Sequence, residues 1–272
     1  MGNFNKRNSN QLSPDKGIHR TLKKEGDMKT ALILPDIHHP KHSKKCLKAI
    51  WQWLRDYGKK LDYLILLGDQ MEFETVSFWL KNKKRILEGK RIIREYRQFD
   101  SEILCRLDKA VSNKCRKIYF IGNHEVRIDS AIDEDPNLEG YLEIENNLHL
   151  KKRKWKVIRF NHFYKLGKLS LMHGMFWNKY HAAKSVEECG RSVLYGHSHD
   201  IQEFTKNSLT NEVHKGKSIG CLCDTNPDWK KGRPNRWVNA FSVVYVYGNG
   251  FFNEYTVNII NGKFVWAGKL YE

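Results

Sequence analysis

The 272-residue sequence has no C-x-x-C pair, no apolar run near the roughly 20 residues that cross a bilayer, and too few acids to balance its bases. The first absence argues against the common structural zinc motifs, because the tightest cysteine pair, Cys221-Leu222-Cys223, is closer than a standard zinc pair. Cys46, Cys105 and Cys115 fall among apolar positions of helical stretches and are expected to be buried thiols. The second absence argues against a helical membrane protein. Residues 1–27 also lack the apolar core of a secretory signal, and Met1-Gly2 is followed by Lys6 where a myristoylation site wants Ser or Thr. They are expected to form a disordered basic and polar tail, with one domain over 28–272 and a cytoplasmic location, where unpaired cysteines are at home. The shortage of acid leaves 48 Lys and Arg against 31 Asp and Glu, a formal charge of +17, which suits a polyanionic partner such as nucleic acid.

What the chain does contain is a set of apolar runs, each ending in chemistry. Ala31 to Leu34, Tyr63 to Leu67, Ile118 to Ile121, Leu169 to Met172 and Ser192 to Tyr195 read as strands. They lead into Asp36-Ile37-His38, Gly68-Asp69, Gly122-Asn123-His124-Glu125, His173-Gly174 and Gly196-His197-Ser198-His199. Carboxylate, amide oxygen and imidazole ligands delivered from several strand ends are what a shared pair of divalent cations needs. Asp69 is the candidate to bridge the pair, and glycine lets GNHE and GHSH turn tightly enough to present neighbouring side chains to one point. Helices are expected over about 44–57, 75–113 with a break near Gly89, and 127–132. The second half reads as short strands at 155–160, 163–165, 169–172, 202–205, 218–222, 241–247, 251–257 and 263–266, with turns at Gly167, Asn249-Gly250 and Asn261-Gly262. A βαβαβ first half before a mostly antiparallel second sheet predicts an α/β fold, a two-sheet sandwich flanked by helices.

The motif series, in this order, resembles the calcineurin-like metallophosphoesterase superfamily over residues 31 to about 200. The resemblance implies one metal on Asp36, His38, Asp69 and His199 and a second on Asp69, Asn123, His173 and His197. It implies that His124 is the catalytic histidine, not a ligand, with Glu125 orienting it. The reaction would be attack on phosphorus by a metal-bridging hydroxide, with His124 protonating the leaving oxygen. Two divalent ions are expected, Mn²⁺ first, with Fe or Zn²⁺ also suited to the ligands. Glu72 stands where many members carry Asp or Asn, and no Arg-Gly follows, which argues against a phosphoprotein phosphatase. Residues 173–181 and 221–241 look like those of phage-borne and bacterial members labelled DNA-repair-type.

The substrate expected from this is a phosphodiester of nucleic acid or a nucleotide, hydrolysed by a nuclease. The alternatives are a small-molecule phosphomonoesterase or small-nucleotide phosphodiesterase and, in another class, a non-catalytic nucleic-acid-binding protein. Basic clusters occur at 81–97, 151–156 around Trp155, and 230–236 before Trp237. A tryptophan beside such a cluster can stack a base, although both entering strands read as core positions. His39, Asn178, His181 and Arg233 are the candidate substrate contacts.

Overall fold

In the computed structural model the described residues are 28–209, 212–227 and 230–272. The expected tail, residues 1–27, lies outside them. Six strands form the first sheet: β1 (Lys29–Leu34), β2 (Tyr63–Leu66), β3 (Arg116–Phe120), β4 (Trp155–Ile158), β10 (Ala240–Val246) and β11 (Phe252–Asn258). Their order is β11-β10-β1-β2-β3-β4. The four strands from β1 to β4 run parallel, with Leu34 opposite Leu66 and Leu66 opposite Tyr119. Every residue of β2 is buried, as expected of a strand covered on both faces.

Alternation along these strands builds two cores. Leu32, Leu34, Leu64, Leu66 and Tyr119 face α1 (Lys44–Tyr57) and the broken helical stretch of α2 (Ile92–Phe99) and α3 (Cys105–Ala110). Helix α1 begins where the Ser43 hydroxyl accepts from the Cys46 amide, and it buries Leu47, Ile50, Trp53 and Leu54 at three- and four-residue spacing. Ala31, Ile33, Ile65, Ile118 and Phe120 point the other way, onto Leu166, Leu169, Leu171 and Leu194 of the second sheet.

That second sheet has the order β5-β6-β7-β9-β8, from β5 (Tyr164–Leu166), β6 (Leu169–Leu171), β7 (Val193–Tyr195), β8 (Glu203–Asn207) and β9 (Val213–Ser218). It is half parallel, because β6, β7 and β9 run together, and α4 (His181–Cys189) makes the crossover between the first two. The expectation of a mostly antiparallel second sheet is therefore corrected. The strand expected over 218–222 is displaced to Val213–Ser218, and the late strands β10 and β11 close the edge of the first sheet. The two-sheet, helix-flanked α/β architecture itself is as expected. A small hairpin of β12 (Phe264–Trp266) and β13 (Lys269–Tyr271) completes the chain, and no helix among the described residues is long and apolar enough to cross a membrane.

Candidate metal centre

Parallel strands place their carboxyl ends side by side, so the loops that follow them share one crevice. The loops after β1 and β2 continue the pairing: the His38 amide donates to the Asp69 carbonyl at 2.9 Å and the His39 amide to that of Gln70 at 2.9 Å. Asp36, His38, Asp69, His197 and His199 all have φ between 45° and 66°. Non-glycine residues seldom adopt that left-handed region, and five at one crevice mark a functional site held by its surroundings. Two glycines make room for it. A Cβ at Gly122 would sit 2.2 Å from Asp69 Oδ1, and one at Gly196 would sit 2.0 Å from Asp36 Oδ2.

The side chains fall into two clusters joined by Asp69. In the first, one ligand atom from each of Asp36, His38, Asp69 and His199 lies within 4.8 Å of every other. His38 Nε2 and His199 Nε2 are 3.0 Å apart, and Asp36 Oδ1 lies 3.4 Å from the latter. The second cluster holds Asp69, His173 and His197, with His173 Nε2 3.3 Å from Asp69 Oδ2. Asn123 Oδ1 belongs with it, 3.0 Å from His173 Nε2 and 2.8 Å from His197 Nδ1. The Leu67 carbonyl can only accept, so His173 Nδ1, at 2.9 Å, donates to it, and Nε2 is the nitrogen turned to the crevice. All seven ligand candidates are thus brought together, in the two groups the resemblance implied.

Electrostatics show what this pocket demands. Burial pushes the Asp69 carboxyl up, but the imidazoles of His173, His124 and His38 outweigh it and hold the group well below the carboxylate range. Burial pushes His38 and His173 down, yet the surrounding carboxylates raise them to about 9 and about 10. A buried site that forces imidazoles to stay protonated lacks positive charge, which divalent cations would supply. Hard carboxylate and amide oxygens with imidazole nitrogens suit such ions. The donor set therefore fits a pair of divalent metals.

His124 sits beside the clusters, its backbone amide donating to Asp69 Oδ1 at 2.8 Å. Its Nδ1 donates to the Glu72 carbonyl at 3.2 Å, and Nε2 accepts from Arg127 at 3.0 Å. Burial, with His38 and Arg127 nearby, holds it down to about 3, so the ring is neutral. Glu125 does not orient it, which corrects the expectation. Glu125 is fully buried and accepts from the amides of Asp69 (2.9 Å), Gln70 (2.7 Å), Met71 (3.3 Å) and Gly122 (2.9 Å) and from the Tyr119 hydroxyl (3.2 Å). It pins the turn that carries Asp69.

A cavity of 1030 Å³ opens over His38, His124 and His199, lined also by Trp79, Lys83 and Lys90 of one segment and Pro227 and Trp237 of another. None of the four expected substrate contacts lines it. His39 is buried away from the cavity, where its Nε2 lies 3.2 Å from Glu102 and its ring stacks on His42. His181, the first residue of α4, is buried, its Nδ1 2.7 Å from the Tyr195 hydroxyl and its Nε2 3.1 Å from Asp200. Asn178 is exposed and accepts from the Tyr180 amide, and Arg233 lies on an exposed turn.

Residues that sequence reasoning left unassigned take places at the site. Glu72 Oε1 is 3.1 Å from His38 Nδ1, and Arg127 flanks His124. Trp155 is core, as read, with its indole donating to Asp108 at 3.0 Å, but Trp237 is half-buried and packs edge-on against His199 at 4.4 Å. Their spacing held a partial signal: Glu72 and Arg127 stand three residues beyond Asp69 and His124.

No protein-family profile matches the chain, and no curated protein matches it in sequence. Among solved structures it is similar to vacuolar protein sorting 29 from Cryptosporidium parvum, at 16% identity and a TM-score of 0.48 over 90% of this chain and 98% of that one. It is similar to the nuclease MPE of Pseudomonas putida at 14% identity and a TM-score of 0.34 over 79% and 83%, and to a dimetal phosphatase from Danio rerio at 12% and 0.38 over 85% and 98%. At these values the likenesses carry no argument about this chain's chemistry.

Proposed function

We propose that the chain is a calcineurin-like metallophosphoesterase, a metal-dependent phosphoric ester hydrolase that cleaves phosphodiesters of nucleic acid or nucleotides, and that it works in a reducing, cytoplasmic setting. The observation that carries this reading is the convergence of seven ligand side chains into two clusters sharing Asp69, of which His38 and His199 line an open cavity. One divalent ion would be held by Asp36, His38, Asp69 and His199, and the other by Asp69, Asn123, His173 and His197, with Mn²⁺ favoured. When bound, such a pair lowers the pKa of water and neutralises charge on the phosphoryl oxygens.

The chain's own residues do the rest. Glu125 fixes the Asp69 turn, and the Leu67 carbonyl fixes the His173 ring. Arg127 receives the anionic oxygens of the phosphodiester, which frees His124 Nε2 from its guanidinium partner. The arriving negative charge raises the proton affinity of the ring, so Nε2 takes up a proton from solvent and then passes it to the leaving oxygen. Nuclease action is favoured by the walls of the cavity. Trp79 is 75% exposed and Phe78 beside it 74%, on a stretch rich in lysine and arginine, so a base can stack while the backbone is tracked by charge. Nζ of Lys230 lies 3.8 Å from the centre of the Trp237 ring, which also lines the cavity.

The test is to incubate Mn²⁺-loaded protein with single-stranded DNA, duplex DNA, RNA and a bis-nitrophenyl phosphate. Hydrolysis of a polymer is the expected result. Cleavage of the small ester alone would move the substrate to small phosphoesters, and hydrolysis of none of them, with two metals bound, would refute the enzymatic reading.

A further inference from the structure

Two buried thiols next to the metal centre have no part in that chemistry. Cys221 and Cys223 stand two residues apart on one strap, and their sulfur atoms lie within 4.8 Å of one another. The strap is tied at each residue: the Cys221 amide donates to the Val238 carbonyl at 2.9 Å, the Leu222 amide to that of Asp36 at 3.0 Å, and Cys223 bridges to His42. Cys223 Sγ lies 3.8 Å from His199 Nδ1, while the other nitrogen of that ring faces Asp36 and His38. One ligand atom from each of His199, Cys221 and Cys223 lies within 4.8 Å of the other two, and all three residues are buried. Bonds of about 2.0–2.3 Å in a tetrahedral zinc site put neighbouring nitrogen and sulfur atoms roughly 3.5–3.8 Å apart. Cys223 also lines the cavity, which provides a way in.

We propose that His199 Nδ1, Cys221 Sγ and Cys223 Sγ form a second kind of metal site, selective for a soft divalent ion of the Zn²⁺ or Cd²⁺ class. Thiolates prefer such ions, whereas the carboxylates and Asn123 across the ring prefer harder ones, so the two ends of the His199 imidazole sort cations by softness. On binding, both thiols and Nδ1 release their protons to solvent, and three protein ligands leave a fourth position for water. The role of His199 Nε2 as a ligand rests on the phosphoesterase reading, but the thiolate site does not.

The experiment uses the full chain, reduced and loaded with Mn²⁺, titrated with Cd²⁺ and followed by the ultraviolet thiolate-to-metal charge-transfer band. One equivalent should develop the band and protect two thiols per chain from alkylation. Cys221→Ser and Cys223→Ser should each abolish the two-thiolate band, Cys46→Ser should keep it, and His199→Gln should weaken Cd²⁺ binding at least about tenfold, the loss of one ligand. Thermal unfolding of each variant checks that it is folded. No band in the wild-type protein, or a band that survives in either serine variant, overturns the proposal whatever the variants' stability. An inactive protein that shows the band would refute the phosphoesterase reading alone, and an active one without it would refute this site alone.

Discussion

Asp69→Asn isolates the feature on which the two clusters depend. The amide is isosteric, and its oxygen can still accept from the His124 amide, which lies 2.8 Å from Oδ1, so the turn should keep its shape. What goes is the one carboxylate common to both groups, whose Oδ2 lies 3.3 Å from His173 Nε2 and 3.8 Å from His38 Nε2. A unit charge pair about 4 Å apart is worth about 4 kcal/mol at an effective dielectric near 20. Taking that as a floor for each cation, affinity should fall by about 10³-fold at both positions, since 1.4 kcal/mol is a factor of ten. Elemental analysis after dialysis against micromolar Mn²⁺ should find most of the metal gone, with hydrolysis nearly abolished and the unfolding temperature of the metal-stripped protein close to that of stripped wild type. Two bound metals at wild-type affinity would show that Asp69 does not bridge and would refute the assignment.

The other predictions use different parts of the molecule. His124→Asn should retain both metals and slow hydrolysis about 10²–10⁴-fold, least for a nitrophenolate leaving group that needs no proton; equal losses on both ester types would remove the general-acid role. Glu125→Gln should cost about 2–4 kcal/mol in urea unfolding at pH 8, because in the better of its two orientations the new NH₂ group confronts the amides of Asp69 and Gly122. Burial pushes the Glu95 carboxyl up to about 7 from 4.5, despite the bond from the Phe73 amide, so its ionisation increasingly opposes folding as pH rises between those values. Glu95→Gln should therefore leave stability nearly unchanged at pH 4 and raise it by an amount on the order of 3 kcal/mol at pH 8; a stability difference independent of pH would contradict this. Trp79→Ala should raise KM for single-stranded DNA roughly 5–150-fold, the equivalent of 1–3 kcal/mol of stacking, and Lys83→Glu, Lys84→Glu and Arg91→Glu together should flatten the salt dependence of binding. A small diester should be unaffected by either change, and parallel losses on polymer and small diester would show instead that the mutations disturb the fold or the centre.

Much of the site was legible in the sequence because its ligands are attached to local structure. An apolar run that ends in Gly-Asp or Gly-Asn-His describes a strand and the turn after it. Parallel strands bring those turns to one edge within each sheet, so Asp36, His38, Asp69 and Asn123 share one edge and His173, His197 and His199 another, and the packing of the two sheets joins them. Helix α1 was likewise fixed by local signals, Ser43 at its start and apolar residues at helical spacing. Only the tertiary structure decided what lies across the crevice. It turned His39 and His181 inward, since a side chain's direction depends on which face its neighbours bury. It set Glu125 under the Asp69 turn instead of behind His124, because a buried carboxylate goes where unpaired amides converge. It sent β10 and β11 to the first sheet, a choice between edges that alternation alone does not encode. And it brought Cys223 and Trp237 to the metal centre from a segment whose own sequence carries no ligand pattern, through packing between residues up to about two hundred positions apart.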